Sequence, residues 1–399
     1  MKICLVGSLL PTEVFDNMVR CSKSKPSNAP ENFQMMLAKG LSELNEGLTV
    51  ISFPTIATYP KGPKVLYAEK HYAIEEKINI ISPPMVNVQL VKQQSIYLST
   101  YKYVKKWLQS VKDKKKIVLV YSDYPPYANA CRKACAEDSD AICVLLMTDL
   151  PTYSLTKHKL TPYSWMMCKM DTERRKNYNK FDAYIVLTKY MIEKMKINEK
   201  PCIVIEGFSD PSQFEFDEIK CRRKTMMYAG ALSDVHNIRA LIDAIKETKV
   251  DADFWFYGDG NQKEYVIEAT KQDKRIQYFG KVSRKELLHA QKKAHILVSV
   301  KSSMDDHNKY AFPSKILEYM TSGTAVLTTK IAGIPNEYFD YVYQIEDESV
   351  AGIVSAIDKV FTKSMDELTT KGKEAKEFVS SFKNYLKQGE KILTFLNEL

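Results

Sequence analysis

The chain has 399 residues, 45% of them hydrophobic and 27% charged, an ordinary composition for a soluble globular protein. That length exceeds what one core usually serves, so two domains are expected, and no apolar run reaches the ~20 residues needed to span a bilayer. The net charge of +9 resides in the first half: residues 1–205 carry 30 Lys and Arg against 19 Asp and Glu, the remainder 28 against 30. Such a bias favours an anionic partner: nucleic acid, a lipid surface or a phosphorylated acceptor.

The N-terminus enters a strand-like MKICLVGS at once, so no export leader is expected. The eight cysteines are scattered without C-x-x-C sets and read as reduced cytosolic thiols. Strands are predicted at KICLVGS, TVISF, KIVLVYS, ICVLLMTD and YIVLTK. A second set follows at TMMYAGAL, DFWFYGDG, IQYFG, ILVSVK and AVLTTK. Near-continuous apolar runs alternating with helical patterns predict parallel sheets built from βα units, an α/β fold of two doubly wound Rossmann-like domains. Between the sets, Glu206 to Lys224 is polar, contains a proline and lacks a period, so it is predicted as a linker. The chain then divides into 1–205, 206–224, 225–380 and a final amphipathic helix over 381–399, with Tyr385, Leu386, Leu393 and Leu396 on its apolar side.

The stretch FPSKILEYMTSGTAVLTT, Phe312 to Thr329, concentrates the chemistry. Pro313 suits a helix start, and first-turn amides beside Lys315 make an anion site. Glu318 lies one turn on along the same face, where a carboxylate can accept hydrogen bonds from two sugar hydroxyls. Gly323 ends the helix. The same spacing also fits a plain i,i+3 surface ion pair worth a few tenths of a kcal/mol, roughly.

The wording P-S-K-x-x-E-Y-M-x-S-G resembles the donor-site motif of the retaining nucleotide-sugar glycosyltransferases of family four. It is similar to the branch found in bacterial capsule and exopolysaccharide clusters. The resemblance implies a GT-B architecture, two Rossmann-like domains facing each other across a cleft. Residues 1–205 would bind the acceptor and 225–380 the donor, with the last helix crossing back to the first domain. It implies that Lys315 holds the donor diphosphate and Glu318 the ribose hydroxyls. VSVKSSMDDHNKYAFPSK resembles the approach to the motif, with Lys301 at a position of frequent positive charge. YAGALSDVHNI resembles the first donor loop, containing Gly230, and FWFYGDG the turn containing Gly258. IQYFGKVSRKEL resembles the base-pocket loop, including Gly280 and Val282. GSLLPTEV and SNAPENFQMMLAKGL resemble the acceptor-side opening loop and helix, with Gly7 and Ser8 at that loop.

Two departures follow. The arginine and lysine that many members carry in the first donor loop are replaced, the corresponding positions being Ala231, His236 and Asn237. Neutralisation of the diphosphate then falls on Lys301, Lys315 and amides. The glutamate found eight residues before the ribose glutamate is Tyr310 here, with Asp305 and Asp306 nearby. Retention through proton transfer to the leaving diphosphate needs only positioning and charge stabilisation. Inversion would need a base, for which Asp149, at the end of ICVLLMTD, is the first candidate and Asp123, in YSDYPPY, the second. Either aspartate can equally cap a turn.

No metal site is expected, because the D-x-D strings at Asp138 and Asp251 precede their strands and His307 beside Asp305 and Asp306 has no opposing ligand set. No cofactor is expected beyond the nucleotide-diphosphate sugar as substrate: G-x-G-x-x-G and G-x-x-x-x-G-K-[ST] are both absent. Nucleic acid is not expected, since no recognised binding module is present. The run Tyr101–Lys116 interleaves apolar residues with seven lysines, reading either as a packed helix with an exposed basic face or as a contact with an anionic membrane. Trp165–Lys180 repeats that mixture.

The expected activity is glycosyl transfer of hexosyltransferase type, from a nucleotide sugar to a glycan or lipid-linked acceptor in cell-surface polysaccharide synthesis. The expected site is the cytoplasm, at the inner face of the plasma membrane. A nucleotide-sugar epimerase and a catalytically weakened GT-B partner subunit are the rivals.

Overall fold

A computed structural model describes residues 1–23, 29–112, 114–150, 172 and 174–399 of the chain. These form two compact units, Met1–Phe208 with Tyr385–Leu399, and Ser209–Asn384. Half of Trp165–Lys180 lies outside the described residues, as do Ser27 and Asn28 of the opening-helix stretch.

The first unit holds β1 (Lys2–Gly7), α1 (Thr12–Arg20), α2 (Ala29–Leu44), β2 (Leu48–Ser52), β3 (Leu66–Tyr67), β4 (Lys70–Ile74), β5 (Ile78–Ser82) and β6 (Met85–Val86). It continues with α3 (Val91–Ser110), β7 (Lys116–Tyr121), α4 (Pro125–Cys135), β8 (Ala141–Met147), β9 (Ala183–Val186), α5 (Lys189–Met195) and β10 (Cys202–Val204). Its eight-stranded sheet runs β10-β9-β8-β7-β1-β2-β5-β4 and is parallel except for the β4–β5 hairpin. The unbroken apolar runs of β7 and β8 are buried, as a sheet covered on both faces requires. Strand order reverses between β1 and β7, so the loops after Gly7 and Tyr121 flank a switch-point crevice.

The second unit contains β11 (Thr225–Ala229), α6 (Ile238–Glu247), β12 (Asp253–Tyr257), α7 (Lys263–Gln272), β13 (Ile276–Gly280), α8 (Arg284–Lys293) and β14 (Ile296–Ser299). After these come α9 (Ser314–Thr321), β15 (Ala325–Thr329), β16 (Tyr343–Ile345), α10 (Val350–Phe361) and α11 (Met365–Phe382). Its six strands are all parallel, in the order β13-β12-β11-β14-β15-β16. Alternate residues feed opposite faces: Met226 and Tyr228 join one core cluster, Met227 and Ala229 the other. The switch point lies between β11 and β14, which brings the loops carrying Gly230 and Lys301 side by side.

Residues 209–224, read from sequence as linker, are built into the second unit. Ser209 Oγ donates to the Val379 carbonyl at 3.0 Å, and Phe214 is buried. The last helix, α12 (Tyr385–Glu398), packs in the first unit against α2, with Ile392, Leu393 and Leu396 buried and Leu386 exposed. The two helices meet so closely that a Cβ on Gly40 would lie 2.2 Å from the Tyr385 carbonyl oxygen.

The basic run Tyr101–Lys116 straddles the end of α3 and the start of β7. Lys105 pairs with Glu137, Lys114 with Glu46 and Lys116 with Asp138, and Lys115 donates to the Asn397 carbonyl. Tyr103 and Leu108 are buried, so the lysines do not form one free basic face. The D-x-D strings are likewise engaged: Asp138 with Lys116, and both Asp251 and Asp253 with Arg223. Among the described residues no helix is long and apolar enough to cross a membrane.

Candidate functional site

In the second unit three glycine turns stack at the carboxyl ends of β11, β12 and β13. Gly230 N–H donates to the Tyr257 carbonyl at 2.9 Å and Gly258 N–H to the Gly280 carbonyl at 2.8 Å. A Cβ on Gly258 would fall 1.8 Å from the Gly230 oxygen, and both residues hold positive φ, +129° and +144°. Only glycine tolerates that approach and that backbone together.

Lys315 comes down on this stack from the first turn of α9. Pro313 stands at the N-cap rather than inside the helix, and its fixed φ sets the entry. The ammonium donates to Tyr228 Oη at 2.9 Å and lies 4.5 Å from that ring's centroid, a cation–π contact. Burial first, then the charge of Lys301, pulls Lys315 down to about 7, with Glu318 opposing. Lys301 follows β14, its main-chain N–H donating to Thr329 Oγ1 at 3.0 Å. His236, on the turn after β11, is pushed down to about 4 by burial and by Lys315 and Lys301. Sequence reading treated His236 as a lost cation; the fold returns it to the two lysines. Lys315 and His236 are thus both disfavoured in their charged forms by neighbouring lysines, and an anion placed among them would relieve that repulsion.

Glu318 and Lys315 feel each other's charge but make no ion pair, so the simple i,i+3 bridge does not form. Glu318 instead accepts from Arg284 Nη1 and Gln291 Nε2, and Arg284 Nη2 donates to Gln213 Oε1 at 2.8 Å. Next to Gly280, the exposed Phe279 ring stacks on Tyr257 at 4.6 Å with an interplanar angle of 5°, and Trp255 meets both edge-on. Val282 follows, half-buried against the core. Asp305 caps the turn at His307 and Asp306 pairs with Lys309 at 3.1 Å.

In the first unit Gly7 and Ser8 end β1 under α2. A Cβ on Gly7 would collide with Gln34 Oε1 at 2.2 Å. Ser8 N–H donates to that oxygen at 2.9 Å, and Ser8 Oγ donates to Glu31 Oε1 at 3.0 Å while accepting from Gln34 Nε2 at 2.9 Å. Glu31 Oε2 is buried with no hydrogen-bond partner, and burial raises the carboxyl to about 7 against the lowering effect of Ser8. Glu31 was missed in the sequence because a glutamate two residues into a helix ordinarily reads as a favourable charge at its N-terminus.

Asp149 is exposed beyond β8 and raises the Tyr121 phenol together with Glu31, after burial, so it lies at the same crevice as Ser8. Asp123 is different. It is buried, and both of its oxygens are taken by Arg174, Oδ2 by Nε at 3.0 Å and Oδ1 by Nη2. That bidentate pair removes Asp123 from the residues available as a base.

The sequence profile described as "Glycosyl transferases group 1" matches residues 210–378, nearly the whole second unit. No curated protein matches the sequence. Three solved structures illustrate the likeness of fold. A trehalose-6-phosphate synthase studied for glycosyl transfer with retention aligns at TM-score 0.67 and 10% identity, covering 100% of this chain and 99% of that one. The sucrose-phosphate synthase of Thermosynechococcus elongatus gives 0.67 and 10%, with the same coverage. Anabaena HepE in complex with UDP gives 0.63 and 12%, covering 100% of both chains. Fold and profile together define the class as a GT-B glycosyltransferase.

Proposed function

We propose that the chain moves a hexosyl group from a nucleoside-diphosphate sugar, held by the second unit, to a glycan or lipid-linked acceptor held by the first, in cell-surface polysaccharide synthesis. The observation that carries this reading is the convergence of Lys315, Lys301 and His236 over the glycine stack of Gly230 and Gly258. A diphosphate binds there through the two lysines and the first-turn amides of α9, without a metal ion. Glu318 receives the ribose hydroxyls once Arg284 releases it, and Phe279 with the Gly280–Val282 loop offers a face for the base.

Transfer proceeds with retention. The bond from the anomeric carbon to the diphosphate oxygen breaks, and the acceptor oxygen bonds to the same face of that carbon. The acceptor proton passes to the departing phosphate oxygen, so no protein base is consumed. Ser8 and Asp149 orient the acceptor hydroxyl. The first unit rests against an anionic membrane at the inner face of the plasma membrane, through the exposed lysines of Tyr101–Lys116, Lys102, Lys106 and Lys112.

Thermal melting with a panel of nucleoside diphosphates tests the donor site. Uridine diphosphate is expected to raise the melting temperature, and Lys315→Ala and Glu318→Ala to abolish the rise. A panel in which no nucleotide shifts the wild-type melt would overturn the transferase reading in favour of a partner subunit.

A further inference from the structure

Of the eight exposed large apolar residues among the described residues of the first unit, six cluster. Tyr59, Val65, Leu66, Leu90, Val91 and Leu98 gather around the two-stranded β3–β6 sheet and the start of α3, leaving Leu44 and Leu386 apart. Hydrogen bonds hold them in one neighbourhood. Tyr59 N–H donates to the Asn87 carbonyl at 2.9 Å, Asn87 N–H to the Val65 carbonyl at 2.7 Å, and Val86 N–H to Ser95 Oγ at 2.9 Å. Leu66 lies opposite Val86 in the ladder. Val91 and Leu98, seven residues apart, share a face of α3 that continues into Lys102.

Leu66 is 67% exposed and Leu90 73% exposed, a large sacrifice of apolar area to water. Leu90 also adopts φ +71°, a conformation a leucine rarely occupies, at the N-cap of α3. Strained backbone that displays an apolar side chain points to use of that side chain. The charge around the cluster decides the occupant. Between Tyr59 and Lys106 the sequence has eight lysines and three glutamates. Lys61, Lys64, Lys70, Lys102 and Lys106 are exposed, whereas Glu69 is taken by Tyr103 and His71 and Glu75 by Lys39.

We propose that the face formed by β3, β6 and the first half of α3 is a membrane-docking surface, its leucines entering the acyl boundary of an anionic leaflet and its lysines lying among the headgroup phosphates. An apolar centre with a basic rim is the composition that such an interface selects. This proposal rests on the peripheral membrane placement given above, and assigns the insertion to residues N-terminal of the basic run.

The test is co-sedimentation of the full-length protein with vesicles of phosphatidylglycerol and phosphatidylcholine, against vesicles of phosphatidylcholine alone. Binding is expected to the anionic vesicles, weakened by salt, and to fall by about tenfold or more in the Leu66→Asp, Leu90→Asp double variant. Circular dichroism and the uridine diphosphate-induced thermal shift should be unchanged in that variant. A Leu90→Trp variant should show a blue shift of its emission on vesicle binding. Wild-type protein that ignores anionic vesicles overturns the peripheral placement itself. Binding that survives the double substitution, with no blue shift, overturns the docking face alone. Sedimentation velocity showing a dimer that the same substitutions dissolve would give the face to a second copy of the chain and overturn the membrane assignment.

Discussion

The ammonium of Lys315 occupies the space that a side chain at Gly230 would need: a Cβ there would sit 1.9 Å from Nζ. The lysine of one loop is thus positioned by the absence of a side chain on another. Gly230→Ala is expected to expel Lys315 from the stack and to strain a backbone at φ +144°. Destabilisation on the order of 1–3 kcal/mol should accompany loss of the nucleotide-induced thermal shift. Differential scanning fluorimetry with and without uridine diphosphate reads both.

Lys315 is held down to about 7 from 10.5, so the unfolded chain binds more protons than the folded one between those values. Stability should therefore rise with pH from about 7 toward 10.5 on this account, and Lys315→Met should stabilise the free protein at pH 7 and below, by roughly 2–3 kcal/mol. The same variant should lose nucleotide binding. In the wild type, nucleoside diphosphate affinity should weaken as pH rises through about 7, with proton uptake on binding. Calorimetry in buffers of different ionisation enthalpy measures that uptake.

Arg284 holds the carboxylate that the proposed ribose contact needs. The guanidinium is half exposed, so the pair is screened and its worth is about 1 kcal/mol at most. Arg284→Ala should then tighten nucleoside diphosphate binding by up to about fivefold. Weakened binding would instead make Arg284 part of the nucleotide contact.

Glu31 titrates in the opposite sense to Lys315. Its carboxyl is raised from 4.5 to about 7, so its stabilising contribution is complete below about pH 4.5 and is lost as pH climbs through 7. Glu31→Gln keeps an acceptor for Ser8 and removes the ionisation. The variant should be more stable than wild type at pH 8 by roughly 1–3 kcal/mol, and the two should converge near pH 5. Urea denaturation at the two pH values decides it.

The strands at KICLVGS, KIVLVYS and TMMYAGAL were legible because parallel strands buried on both faces must be apolar throughout. The β4–β5 hairpin was not, because its turn residues Glu75 and Glu76 hold φ +52° and +55° without the glycine or asparagine that signals such a turn. The P-S-K-x-x-E motif marked Lys315 and Glu318, since one helix carries both. His236 comes from the turn after β11 and Arg284 from the start of α8, and their place beside the motif is set by strand order, which linear spacing does not encode. Asp123 read as a free carboxylate at a strand end because Arg174, its partner, lies 51 residues away.

The interleaving of the two units bears on synthesis. The chain leaves the first unit at Phe208 and re-enters it at Tyr385, where α12 closes on α2 with Gly389 against Gly40. A nascent chain can assemble the whole second unit while the first still lacks a helix covering its core. The earlier-made half is therefore the later to be finished, and until α12 has been synthesised Leu37 and Leu41 of α2 wait for Ile392 and Leu396.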